Sequence, residues 1–373
     1  MAFVTPHSQV KGQPSMTDSE RGERDPARPS TTDDAEGRAG QAGQTEQPGQ
    51  AGQRNDAGEQ GRRATRRPPE RIREPYDPRR QRSGMQLRGA PQYLVIGHIC
   101  ADLRPDGSAV LGGTALYSAL TAARLGWRVG VLTRGVYGRT VSGVEIPPLD
   151  PYAEDISIIV QEADRTTTFI NEYQADRRVQ SIKQWAGPID LRGLPPHWRN
   201  AKLIHLGPIA DEVDPRQTGG LTPQFLGATP QGWMREWPRR GGGRVKHIPL
   251  RLPGELIGRL DSIIVSLEEL AYTREIVERV GARRLSVVTK DIEGARIIYG
   301  AQTADLPGFP VRIKDATGAG DVFAAAFFIK ASDRTASART AGRFANAVAA
   351  LSLREIGPTG VPSLDEVEAL LDE

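Results

Sequence analysis

The sequence predicts an α/β fold: a mostly parallel central sheet covered by helices on both faces, behind a disordered amino-terminal tail. Three observations predict it. From about residue 93, short apolar runs closed by glycine, such as Leu94-Val95-Ile96-Gly97 and Leu203-Ile204-His205-Leu206-Gly207, recur between helical patterns. Runs apolar at nearly every position suit strands buried on both faces, and their alternation with helices suits a parallel sheet. Residues 1–90 are dense in Gly, Gln, Pro, Arg, Asp, Glu, Ser and Thr and almost empty of Ile, Leu and Phe. Near the other end, Asp315 to Ile329 reads D-A-T-G-A-G-D-V-F-A-A-A-F-F-I, a turn of small residues running straight into an apolar helix.

The tail is the first element. Such a segment buries too little apolar surface to offset its ordering entropy, so disorder is expected over 1–90. Its second part is basic, with nine arginines from Arg62 to Arg82. An arm like this offers nucleic acid or an acidic partner a surface. Tyr76 is its single aromatic for stacking, so a solvated linker is the expectation and no nucleic-acid partner is. The whole chain of 373 residues carries a formal charge of only +3. Cys100 is the one cysteine, which rules out an intramolecular disulfide and fits a reducing cytoplasm. No apolar run approaches the roughly 20 residues of a membrane span.

Order begins at Tyr93 with the strand Leu94–Ile96. Asp102 follows just past its carboxyl end, where open α/β sheets bind ligands, though a turn or cap role would also suit it. Gly112-Gly113 then opens a helix over Thr114 to Leu125, stopped by Gly126; a glycine pair there lets a ligand approach the backbone. Val129–Leu132 is the next strand. Ile156–Val160, Thr166–Tyr173 and Arg178–Trp185 read as further strands with polar interruptions. His205, inside an apolar strand and without a Ser or Cys motif, reads as a core histidine. Gly241-Gly242-Gly243 marks a flexible loop. After the strand Ser262–Val265, Ser266 and Glu269 read as a capping box for a helix. Leu285–Thr289 and Gly294–Tyr299 are strands, and Thr340–Leu353 is a helix. Ser363 and Glu366 form a second capping box opening the last helix.

The central stretch carries the chemistry. Gly318, Ala319 and Gly320 have little side chain, and the helix starting near Asp321 leaves N–H groups unpaired beside the positive end of its dipole. Together they suit a phosphate or the charge that builds on one in transit. Asp321 then puts a carboxylate beside that anion site. A pure anion hole would avoid it; a phosphoryl-transfer enzyme needs it, to take the proton from an attacking hydroxyl. Helix capping alone is the competing reading of Asp321.

The string D-A-T-G-A-G-D with its following helix resembles the second signature of the PfkB/ribokinase family of carbohydrate kinases. The order strand–Asp102–Gly112-Gly113–helix–Leu125-Gly126–strand resembles that family's amino-terminal signature. The resemblance covers about Tyr93 to Leu371. It implies a ribokinase-like three-layer sandwich over 91–373 with a small β-sheet lid, its strands within about 103–113 and 156–185. It also implies an ATP-dependent phosphotransferase acting on a hydroxyl of a sugar, polyol or nucleoside. Asp321 would be the base and Gly318, Ala319 and Gly320 the anion hole. Asp102, Gly112 and Gly113 would meet the substrate, with Tyr117 standing where the family often has asparagine. The hydroxyls of Thr166, Thr167 and Thr168 with Asn171 would suit a polyol.

On the nucleotide side, Thr289 and Gly294 match a T-x-G-x-x-G pattern whose middle glycine is here Asp291. Asn346 would border the adenine pocket, though a surface asparagine would read the same, and Thr317 would belong to the nucleotide site. Glu269 would support Mg²⁺ through water, with Ser266 replacing the family's asparagine and Glu268 as a rival acid. Mg²⁺ would bridge the phosphates, since bare polyphosphate repels a hydroxyl oxygen. Asp315 and Thr317 match positions beside a monovalent-cation site. An exposed lid edge could pair two subunits into a homodimer. The three departures at Tyr117, Ser266 and Asp291 leave a second reading, a catalytically silent sugar or nucleotide sensor on the same fold. No G-x-x-x-x-G-K-[ST] occurs, which excludes a P-loop nucleoside triphosphatase.

Overall fold

A computed structural model describes residues 90–174 and 177–373 of the chain. The expected tail lies outside the described residues. In chain order the first elements are β1 (Tyr93–Ile96), β2 (Cys100–Leu103), β3 (Ala109–Gly112), α1 (Thr114–Arg124), β4 (Val129–Gly135), β5 (Arg139–Val141) and β6 (Val144–Ile146). Then come β7 (Ile156–Glu162), β8 (Thr168–Gln174), β9 (Arg177–Gln184), β10 (Leu203–Leu206), β11 (Phe225–Ala228), β12 (Arg235–Glu236), β13 (Gly243–Arg244) and β14 (Lys246–His247). The remainder is α2 (Gly254–Arg259), β15 (Ser262–Ser266), α3 (Leu270–Gly281), β16 (Leu285–Thr289), β17 (Ala295–Tyr299), β18 (Gln302–Leu306), α4 (Ala319–Ala331), α5 (Ala338–Ser352) and α6 (Leu364–Asp372).

The central sheet has nine strands in the order β18-β17-β16-β15-β11-β10-β1-β4-β7. Its pairs are parallel from β7 to β16, and β17 and β18 close one edge antiparallel. Tyr93 and Val95 belong to one apolar core, while Leu94 and Ile96 belong to the other. Alternate side chains of one strand therefore fill layers on opposite faces, which is why such strands read as unbroken apolar runs. α1, α4 and α5 pack on one face, and α2 and α3 supply the other. α4 is apolar on every side, with Val322 to Ile329 all buried, as a helix enclosed by neighbours must be. His205 is a core residue, as expected. Its Nδ1 bonds the Tyr93 hydroxyl at 2.8 Å and its Nε2 the Thr229 hydroxyl at 2.9 Å. Burial lowers its pKa to about 3.

Five strands in the order β13-β9-β8-β2-β3 make the lid. Three sequence expectations change here. Ile156–Glu162 is not a lid strand but the edge of the central sheet, paired in parallel with β4 from Val129–Ile156 to Gly135–Glu162. Ile156 to Val160 are all buried, the mark of a strand covered on both faces. The glycine run is not a free loop either: Gly243–Arg244 pairs antiparallel with β9 and widens the lid. The lid also begins earlier than expected, at Cys100. Cys100 is buried among Phe169, Ile182 and Trp237. The Ser363–Glu366 capping box opens α6. Ser266 and Glu269 exchange bonds of 2.9 and 3.2 Å in the turn before α3, but that helix starts at Leu270 with Glu269 at its N-cap, so they do not cap it as expected. Among the described residues, no helix is long and apolar enough to cross a membrane.

Candidate active site

The parallel strands end on one side of the central sheet, and α1 and α4 both start there. That edge is where an α/β sheet presents loop residues and helix amino-termini to a ligand. Gly318 caps α4 with φ 80°, and a Cβ placed on it would lie 2.4 Å from the Tyr117 ring. The turn thus needs glycine twice over, for its left-handed backbone and for the phenol packed against it. Ala319 and Gly320 form the first turn of α4, and the space beside Gly320 is open.

Asp321 stands in that turn. Its Oδ1 accepts a 2.6 Å hydrogen bond from the Thr114 hydroxyl, and its main-chain carbonyl accepts one of 3.1 Å from Ser118. Thr114 opens α1 directly after Gly113, so the two helix starts are tied together at the carboxylate. One hollow is lined by Thr114, Thr229, Gln231, Glu269, Gly320 and Asp321, among others. A second hollow is lined by Thr289, Asp291, Gly294, Phe309, Ala319, Phe323, Asn346 and Leu353, among others. Thr289 and Gly320 belong to both, so the two are neighbours at the start of α4.

The structure brings together most of the residues singled out in the sequence. Asp102 lies on the lid, its Oδ1 3.2 Å from Asn171 Nδ2, and Gln180 in turn donates to Asn171 at 2.9 Å. The other Asp102 oxygen borders Gly112, 2.9 Å from where a Cβ would stand. Tyr117 is buried; burial first, then the charges of Asp315, Asp321 and Asp102, push its phenol pKa up. Three carboxylates therefore act on this phenol. The Asp315 carboxylate accepts from the Thr317 and Gly357 N–H groups, at 2.9 and 3.0 Å. Burial works against its ionisation, but these bonds and the Arg104 charge prevail and hold it below the usual carboxylate range. Thr317 is exposed beside it.

Gly294, at φ 97°, turns the chain against the backbone of Leu306 and Gly308. Asn346 is buried and lines the second hollow while its Nδ2 holds the Leu306 and Pro307 carbonyls at 3.3 and 2.9 Å. Glu269 faces the first hollow. Its Oε2 accepts from Ser266 N and its Oε1 from Gln231 Nε2, at 2.9 and 3.2 Å. Among the described residues no group of three or more His, Cys, Asp or Glu gathers as a metal site. Glu268 is exposed.

The threonine run is different from what its hydroxyls suggested. Thr166, Thr167 and Thr168 are buried. Their hydroxyls serve Val136, His98 with Ala186, and the Thr166 carbonyl. Sequence reasoning missed Thr114, Ser118 and Glu212. Glu212 is fully buried and accepts from the N–H groups of His98, Ile209 and Ala210, fastening the loops after β1 and β10. Thr114 had one readable signal, a hydroxyl at the first helical position after a glycine pair; Glu212 had none.

Residues 260–364 match the pfkB family carbohydrate kinase model. A putative sugar kinase of Pyrococcus horikoshii is 33% identical over 114 residues, which span 30% of this chain and 37% of that relative's length. A pyrophosphate-dependent kinase in the ribokinase family, complexed with a pyrophosphate analog and myo-inositol, superposes with a TM-score of 0.59 at 20% identity, over 74% of this chain and 99% of its own. Arabidopsis thaliana ribokinase, complexed with ribose and ATP, superposes with a TM-score of 0.54 at 20% identity, over 76% and 99%. The fold is ribokinase-like.

Proposed function

We propose, from the premise that residues 260–364 belong to the pfkB family of carbohydrate kinases, that this chain is an ATP-dependent phosphotransferase acting on a hydroxyl of a sugar, polyol or nucleoside. The observation that carries this reading is Asp321 at the open start of α4, oriented by Thr114. An acceptor hydroxyl held between Asp102 and Asp321 loses its proton to Asp321. Its oxygen forms a bond to the terminal phosphorus as the bond from that phosphorus to the nucleoside diphosphate breaks. The N–H groups at Gly318 and Gly320 meet the charge on the transferring group, and that of Ala319 joins them on leaving the Ala316 carbonyl 3.3 Å away.

The second hollow takes the rest of the donor, phosphates toward Gly320 and base against Phe309, Asn346 and Leu353. Glu269, which lines the first hollow together with Gly320 and Asp321, would hold a magnesium ion through water. When bound, that ion neutralises charge on the donor. Asp315 and Thr317 fit the neighbourhood of a monovalent cation. The lid supplies Asp102, Asn171 and Gln180, and its closure excludes water that would otherwise take the phosphoryl group.

The test is ADP release over a panel of sugars, polyols and nucleosides, with Asp321→Asn beside the native chain. Turnover that the variant loses supports the reading. Binding of panel members without turnover by the native chain would favour a sensor instead.

A further inference from the structure

Of the side chains lining the second hollow, one is charged, and it is negative. Asp291 stands on that wall, exposed, near Thr289 and Gly294. Its carboxylate has no side-chain partner among the described residues. The adjacent Lys290 is engaged elsewhere, its Nζ 2.6 Å from Asp305 Oδ1. The Asp291 backbone has φ 49°, the left-handed region that a short polar side chain tolerates. The backbone therefore keeps the conformation a glycine would give at this point and adds a carboxylate to it.

An ionised carboxylate only accepts hydrogen bonds, and it repels phosphate. The phosphate end of a donor belongs at Gly320 and Thr289, which both hollows share. Asp291 is two residues beyond Thr289, within about 7 Å along the chain. The part of a nucleotide one covalent step from its phosphates is the ribose, and its hydroxyls are donors. The apolar wall beyond, with Phe309, Val311, Ile313 and Leu353, suits the base. We propose that Asp291 is a specificity-determining residue for the phosphoryl donor, accepting hydrogen bonds from the ribose hydroxyls of a nucleoside triphosphate. A bare pyrophosphate has no hydroxyl to offer and meets only the charge. This inference rests on the kinase reading and sharpens its donor.

The test measures equilibrium binding of ADP, 2′,3′-dideoxy-ADP and pyrophosphate to the full chain and to Asp291→Gly. Glycine adopts φ 49° without strain, so the variant keeps its fold, and an unlowered thermal midpoint verifies that. The native chain binds ADP about tenfold tighter than the dideoxy nucleotide, equivalent to about 1.4 kcal/mol. In Asp291→Gly that preference disappears because ADP binding weakens. Unchanged or tighter ADP binding by the variant, or a surviving tenfold preference, overturns the inference while leaving a nucleotide-dependent kinase standing. Binding of pyrophosphate but of neither nucleotide overturns the inference and the ATP-donor reading together.

Discussion

Thr114 and Asp321 are 207 positions apart, and the hydroxyl of the first lies 2.6 Å from the carboxylate of the second. The bond joins the start of α1 to the start of α4, one helix from each signature region. A carboxylate on a helix turn can rotate freely; this one has its orientation set by a buried hydroxyl.

Thr114→Val removes that hydroxyl and keeps the branched shape. The proposed base then loses its orientation, and kcat falls by about 10- to 100-fold with little change in KM, since misplacement of about 1 Å is enough for such a loss. Thr114→Ser restores most of the rate. Steady-state ADP release on all three proteins checks this; equal kcat in the valine variant would remove Thr114 from the site.

Asp321→Asn keeps the Thr114 partner and loses the proton acceptor. Turnover drops by about 10²- to 10⁴-fold, the usual worth of a general base, while nucleotide affinity is unchanged. Calorimetric ADP binding beside the rate assay separates the two quantities.

Gly318→Ala drives a Cβ to 2.4 Å from the Tyr117 ring at φ 80°. Overpacking and a left-handed alanine each destabilise, together by about 2–4 kcal/mol. Tyr117→Ser in the same chain relieves the clash but not the backbone strain. Urea unfolding of the single and double variants should therefore show positive coupling of about 1 kcal/mol or more. Additive effects would mean the ring yields at no cost.

His205 sets a pH dependence of stability. Burial holds its folded-state pKa at about 3, below the ordinary value of 6.5. Between those two values the unfolded chain binds a proton that the folded chain refuses, so stability is full above about pH 6.5 and falls as pH drops toward 3. The slope approaches about 1.4 kcal/mol per pH unit. His98, whose pKa burial also lowers, adds in the same direction. Urea midpoints from pH 7 to pH 4 follow this loss, and His205→Gln flattens it.

What the sequence made readable was local. Gly318 to Asp321 lie in one string whose backbone chemistry is intrinsic to a small-residue turn before a helix. The strand-to-acid step at Asp102 and the bonded pairs Ser266–Glu269 and Ser363–Glu366 were equally visible, because each spans a few residues. What stayed hidden was the pairing of distant segments. Nothing near Thr114 announces Asp321. Thr166 to Thr168 look like a binding surface until the burial of each one is known. Ile156–Glu162 and Thr168–Gln174 are both β-rich, and only their partners, β4 in one case and β2 with β9 in the other, assign them to sheet or lid. Gly243 pairs with Ile182, a distance no loop signal encodes.

Cys100 gives the lid a built-in reporter. It is the chain's one thiol, 3% exposed on the first lid strand, and burial raises its pKa well above the ordinary value. A thiol so placed reacts only while the sheet that carries it is lifted from the residues packed against it. The rate at which a disulfide reagent modifies the native chain thus times the opening of the roof, and a ligand that seals the roof should silence the reaction without any probe having been introduced.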